Sequence, residues 1–136
     1  MNAGFTAEQL LQLVDTVDSD SLCVEFDAGN FVRMLDSPLR ALDLLARHTI
    51  AVHLKDVRPN PREARPWDWD YFACVPVGQG TADNQALLNT LAASGYEGFI
   101  GLQIDRPHAD WYGREDEMVL LSIRAMKELA AAELSS

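Results

Sequence analysis

His53, Lys55 and Asp56 stand together at the end of the apolar run Thr49-Ile50-Ala51-Val52. An imidazole, an ammonium and a carboxylate in one tetrapeptide form a set of groups able to hold a polar small molecule. The run is short, β-branched and uncharged, which predicts a buried strand. In parallel α/β sheets, ligands gather at the carboxyl ends of strands. Two further runs end alike: Leu22-Cys23-Val24-Glu25-Phe26 passes into Asp27-Ala28-Gly29-Asn30, and Gly98-Phe99-Ile100-Gly101-Leu102 into Gln103-Ile104-Asp105. Strand side chains alternate with period two. Glu25 therefore shares a face with Asp27, Ala51 with His53 and Lys55, and Gly101 with Gln103 and Asp105. Where those faces coincide, Asp27, His53 and Gln103 converge on one polar point.

Each residue also has a plainer role. Asp27 in Asp-Ala-Gly-Asn has turn chemistry, but its place at the end of a buried strand favours a site. His53 is read as a ligand or substrate contact rather than a satisfied core histidine. Lys55 stays open between a substrate oxygen or phosphate and a neighbouring carboxylate. Glu25 stays open between a spare ligand and a buried partner of Lys55. His48 is expected to face a helix C-terminus, and His108 to be a loop residue.

The elements that position these groups follow from local signals. Thr6-Ala7-Glu8-Gln9 is a capping box, and Leu10, Leu11, Leu13 and Val14 carry a helix over about 6–17. A strand follows at about 22–27. Asp36-Ser37-Pro38 caps a second helix that runs to about 47, and a second strand covers about 49–55. Residues 57–77 hold Pro59, Pro61, Pro66 and Pro76 with Trp67, Trp69, Tyr71 and Phe72. The stretch is expected to be a long irregular connection, its aromatics ordered as a lid over the site. Gly78 to Asp83 form a glycine turn and a cap, Leu87, Leu88 and Leu91 the next helix, and Gly95 its end. A third strand at about 98–104 and a helix at about 114–133 complete the order. Strands separated by helices predict a parallel sheet with right-handed crossovers.

Composition narrows the classes. A chain of 136 residues is one domain's worth and buries a real core. The net charge of −10 argues against a nucleic-acid partner, which demands clustered Lys and Arg. No run of about 18 apolar residues predicts a membrane span. The first residues lack a basic segment leading into an apolar core, so no signal peptide is expected and a cytoplasmic location is the default. Cys23 and Cys74 are expected to be packed thiols rather than a disulfide.

Four strings in one order carry a resemblance: Phe26-Asp27-Ala28-Gly29-Asn30, Val52-His53-Leu54-Lys55-Asp56, Val77-Gly78-Gln79-Gly80-Thr81-Ala82-Asp83 and Gly95-Tyr96-Glu97-Gly98-Phe99. From about residue 6 to 130 the chain resembles the C-terminal half of the xylose isomerase-like TIM barrels, the sugar phosphate isomerase/epimerase group. That resemblance implies an α/β fold: a single domain over 1–136 forming a partial (β/α)8 barrel, with about three parallel strands, the last of the barrel, alternating with helices. It implies proton transfer next to a carbonyl of a sugar or polyol-derived substrate, assisted by a divalent metal (Mn, Mg or Co). Asp27 and His53 match the family's aspartate and histidine ligands, and Gln103 stands where its final glutamate belongs. The other glutamate of the family lies upstream of any strand present here.

Gln103 and Lys55 are then the catalytic candidates. Gln103 is either a weakened third ligand or a substrate hydrogen-bonder, because an amide cannot act as a general base near neutral pH. Asn30, Lys55, Asp56 and Asp105 are the candidate substrate contacts. The alternative is a non-catalytic barrel remnant or binding subunit that keeps a carbohydrate-like pocket and has lost the metal. Three strands leave two open edges and an uncovered face. The expected partner is a second copy of the chain or a complementary half barrel, unless the chain is cut from a longer barrel.

Overall fold

The computed structural model describes residues 4–133. Helix α1, Ala7–Val17, begins as expected: the Thr6 side chain accepts from Gln9 N, and the Gln9 side chain reaches back to the Thr6 backbone. It buries Ala7, Leu10 and Val14 and stops where Asp18 turns left-handed. Strand β1, Val24–Asp27, leads directly into helix α2, Ala28–Arg33. Ser37 caps α3, Pro38–Leu45, whose proline occupies the first turn where no amide donor is needed. Strand β2 spans Thr49–Leu54, α4 Asn84–Ala93 with Asp83 as its cap, β5 Phe99–Leu102 and α5 Glu115–Glu133. Among the described residues no helix is long and apolar enough to cross a membrane.

The three strands β1, β2 and β5 form one parallel sheet with β2 in the middle. One side of it is a core. Val24, Phe26, Val52 and Leu54 pack with Leu10 and Val14 of α1, Leu42 and Leu45 of α3, and Leu87 and Leu91 of α4. The other side carries Glu25, Ala51 and Phe99 in one cross-strand row and Asp27, His53 and Gly101 in the next. Register thus puts the expected faces together. Phe99 on that side is 89% exposed, so the sheet has a dry helical face and an open face.

Three elements differ from the sequence reading. Residues 57–77 are not irregular throughout. Strands β3, Asp56–Pro59, and β4, Phe72–Val75, pair antiparallel with Asp56 opposite Val75 and Pro59 opposite Phe72. Pro59 is tolerated because β3, in a two-stranded sheet, is an edge strand. Helix α2 was not expected at all. The strands are also shorter than predicted. Residues before Val24 are taken by a turn in which Leu22 N donates to Ser19 O at 3.0 Å. Both cysteines are free thiols.

Candidate functional site

Asp27 does two things at the end of β1. Its Oδ1 accepts from Asn30 N at 3.1 Å and caps α2, while its Oδ2 lies 2.9 Å from Lys55 Nζ. Lys55 leaves β2 with its stem against the backbone of Gly29, where a Cβ would meet Lys55 Cδ at 2.5 Å. Only glycine fits beneath that stem. The ammonium then bridges to Asp105 Oδ2 at 2.9 Å.

Asp105, beyond β5, also receives Arg33 in a two-pronged pair of 2.7 and 2.9 Å. Cys74 Sγ of β4 lies 3.1 Å from its Oδ1. Two carboxylates and two cations therefore close a neutral network at the strand ends, with Lys55 only 1% exposed. Such geometry satisfies the condition under which buried charge is tolerated. Burial pushes the Asp105 carboxyl up, yet the hydrogen bonds from Arg33, Lys55 and Cys74 outweigh it and hold the group far below the usual carboxylate range. Burial and the adjacent Asp105 charge both push the Cys74 thiol up, which makes it inert.

Lys55 thus meets carboxylate partners in both Asp27 and Asp105. Asn30 lies at the same place, its Oδ1 accepting from Arg33 Nη1 at 3.2 Å. Arg33 was not singled out in the sequence. It is the last residue of a helix that was itself unexpected, and its guanidinium also donates to Phe72 O at 3.1 Å.

Asp56 is put to a use other than substrate contact. Its Oδ2 accepts from Gly78 N, Gly80 N and Asn84 Nδ2 at 2.9, 2.9 and 3.2 Å. Its Oδ1 accepts from Val57 N and Ala82 N at 3.0 and 3.1 Å. Five donors fill the acceptor positions of a carboxylate, so the residue ties the 78–84 turn to β3. Burial pushes its carboxyl up, only partly offset by those backbone amides. His108 is more than a loop residue. It is buried, with Nε2 3.1 Å from Pro59 O and Nδ1 accepting from Asp110 N at 3.2 Å. His48 faces Arg47 and Asp15 at the surface.

On the open face, Glu25 Oε1 lies 2.7 Å from His53 Nδ1, both side chains being part exposed. A carboxylate on Nδ1 fixes that nitrogen as the donor and leaves Nε2 as the proton acceptor. Gln103 continues the same face of β5, its backbone N donating to Leu54 O at 3.2 Å. A divalent metal finds no ready set of ligands in this arrangement. Among the described residues no three His, Cys, Asp or Glu side chains are grouped to share an ion. The cation beside Asp27 is the Lys55 ammonium, while Glu25 meets His53 at Nδ1 only. The described residues do not by themselves fit a metal centre.

Comparison with known proteins places this fold. An uncharacterised Escherichia coli protein, YihM, is 31% identical over 112 residues, covering 82% of this chain and 31% of that protein. An inosose dehydratase of Clostridium botulinum is 25% identical over 108 residues, 74% of this chain and 36% of that enzyme. The chain thus spans about a third of the length of these relatives. Among solved structures, a xylose isomerase domain protein from Planctomyces limnophilus superposes with a TM-score of 0.78 at 23% identity, over 98% of this chain and 45% of that one. The IolI protein, solved with a bound zinc atom, superposes with a TM-score of 0.67 at 19% identity, over 92% of this chain and 43% of that one. Both likenesses establish the fold, part of a barrel. Residues 1–129 match the family description throughout, and the chain belongs to the xylose isomerase-like TIM barrel family.

Proposed function

We propose that this chain forms the strand-end wall of a pocket for a sugar- or polyol-derived carbonyl compound, and that its chemistry is proton transfer at the carbon beside that carbonyl. This step is common to isomerases, epimerases and dehydratases, and the inosose dehydratase among the relatives supports the class. The observation that carries the reading is the Glu25–His53 pair on the open face, beside Asp27 and on the side where Gln103 lies. His53 Nε2 takes the proton from carbon, the carbon–hydrogen electron pair moves into the enolate, and Glu25 stabilises the imidazolium. Gln103 cannot be a base, but its amide N–H can donate to the carbonyl oxygen as charge develops there.

The test is hydrogen exchange. The chain, incubated in D2O with inososes and simple ketoses, is expected to place deuterium beside the carbonyl, read by NMR. His53→Ala should abolish the exchange with the circular dichroism spectrum unchanged. Exchange that survives in His53→Ala would overturn the assignment. A second reading, a binding subunit without catalysis, is favoured by Gln103 standing where the family resemblance puts a glutamate. Saturation-transfer NMR showing bound ketose with no deuterium uptake would select it.

The open sheet face is part of the same proposal. Phe99 at 89% exposure on an edge strand is supported best by closure against a second copy or a complementary half barrel, since apolar burial is the main stabilising term. Light scattering on the purified chain is expected to give at least a dimer, dissociated by Phe99→Asp. A monodisperse monomer with cooperative unfolding would overturn it.

A further inference from the structure

Among the eight glycines of the chain, Gly101 stands apart. Four of the others take a positive φ, which favours glycine. At Gly29, Gly80 and Gly98 a Cβ would overlap the side chains of Lys55, Asp56 and Tyr96. Gly101 has neither reason. It lies inside β5 without a positive φ. Beyond its chain neighbours, a Cβ there would meet only His53 Cδ2 at 3.7 Å and Val52 O at 4.0 Å, which is ordinary van der Waals contact. A glycine inside a strand loses backbone entropy on folding and leaves no side chain to pack. Nothing among the described residues requires that loss, so what Gly101 provides is space.

The space is a notch in the open face. Alternation along β5 puts Phe99 and Gln103 on the same face, two residues to either side, and register puts His53 directly across. Cδ2, the His53 atom that borders the notch, is bonded to Nε2 in the imidazole ring. With Glu25 on Nδ1, Nε2 is the nitrogen left to take a proton, and a reacting carbon has to come within about 3–3.5 Å of it. The notch adjoins that nitrogen, and with no Cβ in the way a ligand carbon can rest against the β5 backbone. A methyl group at Gly101 would leave the imidazole where it stands, because 3.7 Å is no clash. It would take the room of the ligand instead.

We propose that Gly101 determines which ligands reach His53: its notch seats the carbon beside the carbonyl and is wide enough for a carbon that belongs to a ring. This inference rests on the proton-transfer reading above. Deuterium uptake from D2O into an inosose and into dihydroxyacetone, read by NMR, is compared between the unmodified chain and Gly101→Ala. Uptake into the inosose is expected to fall about tenfold or more, since a misplacement of about 1 Å can cost on the order of a hundredfold. Uptake into the smaller dihydroxyacetone should fall less steeply. The urea midpoint should stay equal or rise, because alanine is the better strand residue, and Gly101→Val should abolish uptake into both ketones. Lost activity without lost stability is a combination that a packing role does not produce. Equal uptake in Gly101→Ala and the unmodified chain would overturn the proposal and leave the His53 assignment standing. So would a lower urea midpoint, or a changed mass in light scattering, either of which would mean that the notch receives protein rather than ligand. If the unmodified chain takes up no deuterium, the proton-transfer reading falls and saturation-transfer NMR with the same two ketones decides on Gly101. Weaker binding in Gly101→Ala, most of all for the inosose, would support the notch; equal binding, or none to the unmodified chain, would overturn it.

Discussion

Lys55→Met is expected to destabilise the fold by about 3 kcal/mol, the low end of the roughly 3–5 kcal/mol seen when one partner of a buried ion pair is removed. Methionine keeps the unbranched stem that lies on Gly29, so the loss reports charge rather than packing. The cost falls mainly on Asp27, which is 3% exposed and loses the ammonium at 2.9 Å. Asp105 keeps both prongs of Arg33. A double-mutant cycle with Asp27→Asn isolates the pair, because asparagine caps a helix as well as aspartate and should keep α2 in place. The double variant should recover much of what the single loses. Additive losses in urea unfolding would mean that Lys55 and Asp27 do not interact.

The same network sets the acid limb of stability. Asp105 is held below its ordinary pKa, so its contribution is present above the unfolded carboxylate value of about 3.9 and is lost as pH falls toward the folded value. Lys55→Met removes one of the hydrogen bonds that lower it. The variant should therefore lose less stability than the unmodified chain as the pH drops below that of unfolded carboxylates.

Which parts of this molecule are legible in its sequence depends on whether the signal is local. Thr6 with Gln9, Ser37 with Pro38, and Asp83 each announce a helix start through backbone chemistry within one turn. The apolar runs ending at Asp27, Leu54 and Leu102 announce strands, and alternation put Asp27 with Glu25 and His53 with Ala51, while the register of β1 on β2 brought the two faces together. What escaped was decided by groups distant in the chain. Asp27 read as a site residue concealed its second role as the cap of α2, although Asn30 three residues on is a usable sign. Arg33 meets Asp105 from 72 residues away, and nothing local distinguishes a buried arginine from a solvated one. The hairpin was hidden by its prolines, which read as breakers until the partner strand Phe72–Val75 is known. Its β-branched and aromatic ends, Val57 and Phe72, were the available signal. Asp56 shows the converse. A carboxylate beside a histidine and a lysine looks like part of a site, and only the turn 22 to 28 residues later reveals that its oxygens are already occupied.

That occupancy makes Asp56→Asn the sharpest single change available. Asparagine has the same shape, yet one of its two terminal atoms is a donor rather than an acceptor. Placed at Oδ1, the new amide faces Val57 N and Ala82 N; placed at Oδ2, it faces Gly78 N, Gly80 N and Asn84 Nδ2. Either way at least two donors lose their acceptor, at about 1–3 kcal/mol each for buried groups, so a loss of roughly 2–6 kcal/mol is expected. The turn cannot move aside cheaply. A Cβ at Gly80 would already stand 2.0 Å from Asp56 Oδ1 and 2.7 Å from Val57 N, which measures how closely the backbone wraps the carboxylate. Urea unfolding measures the loss. A loss below about 1 kcal/mol, less than a single unpaired buried donor costs, would show that the turn is held by its own backbone and not by Asp56.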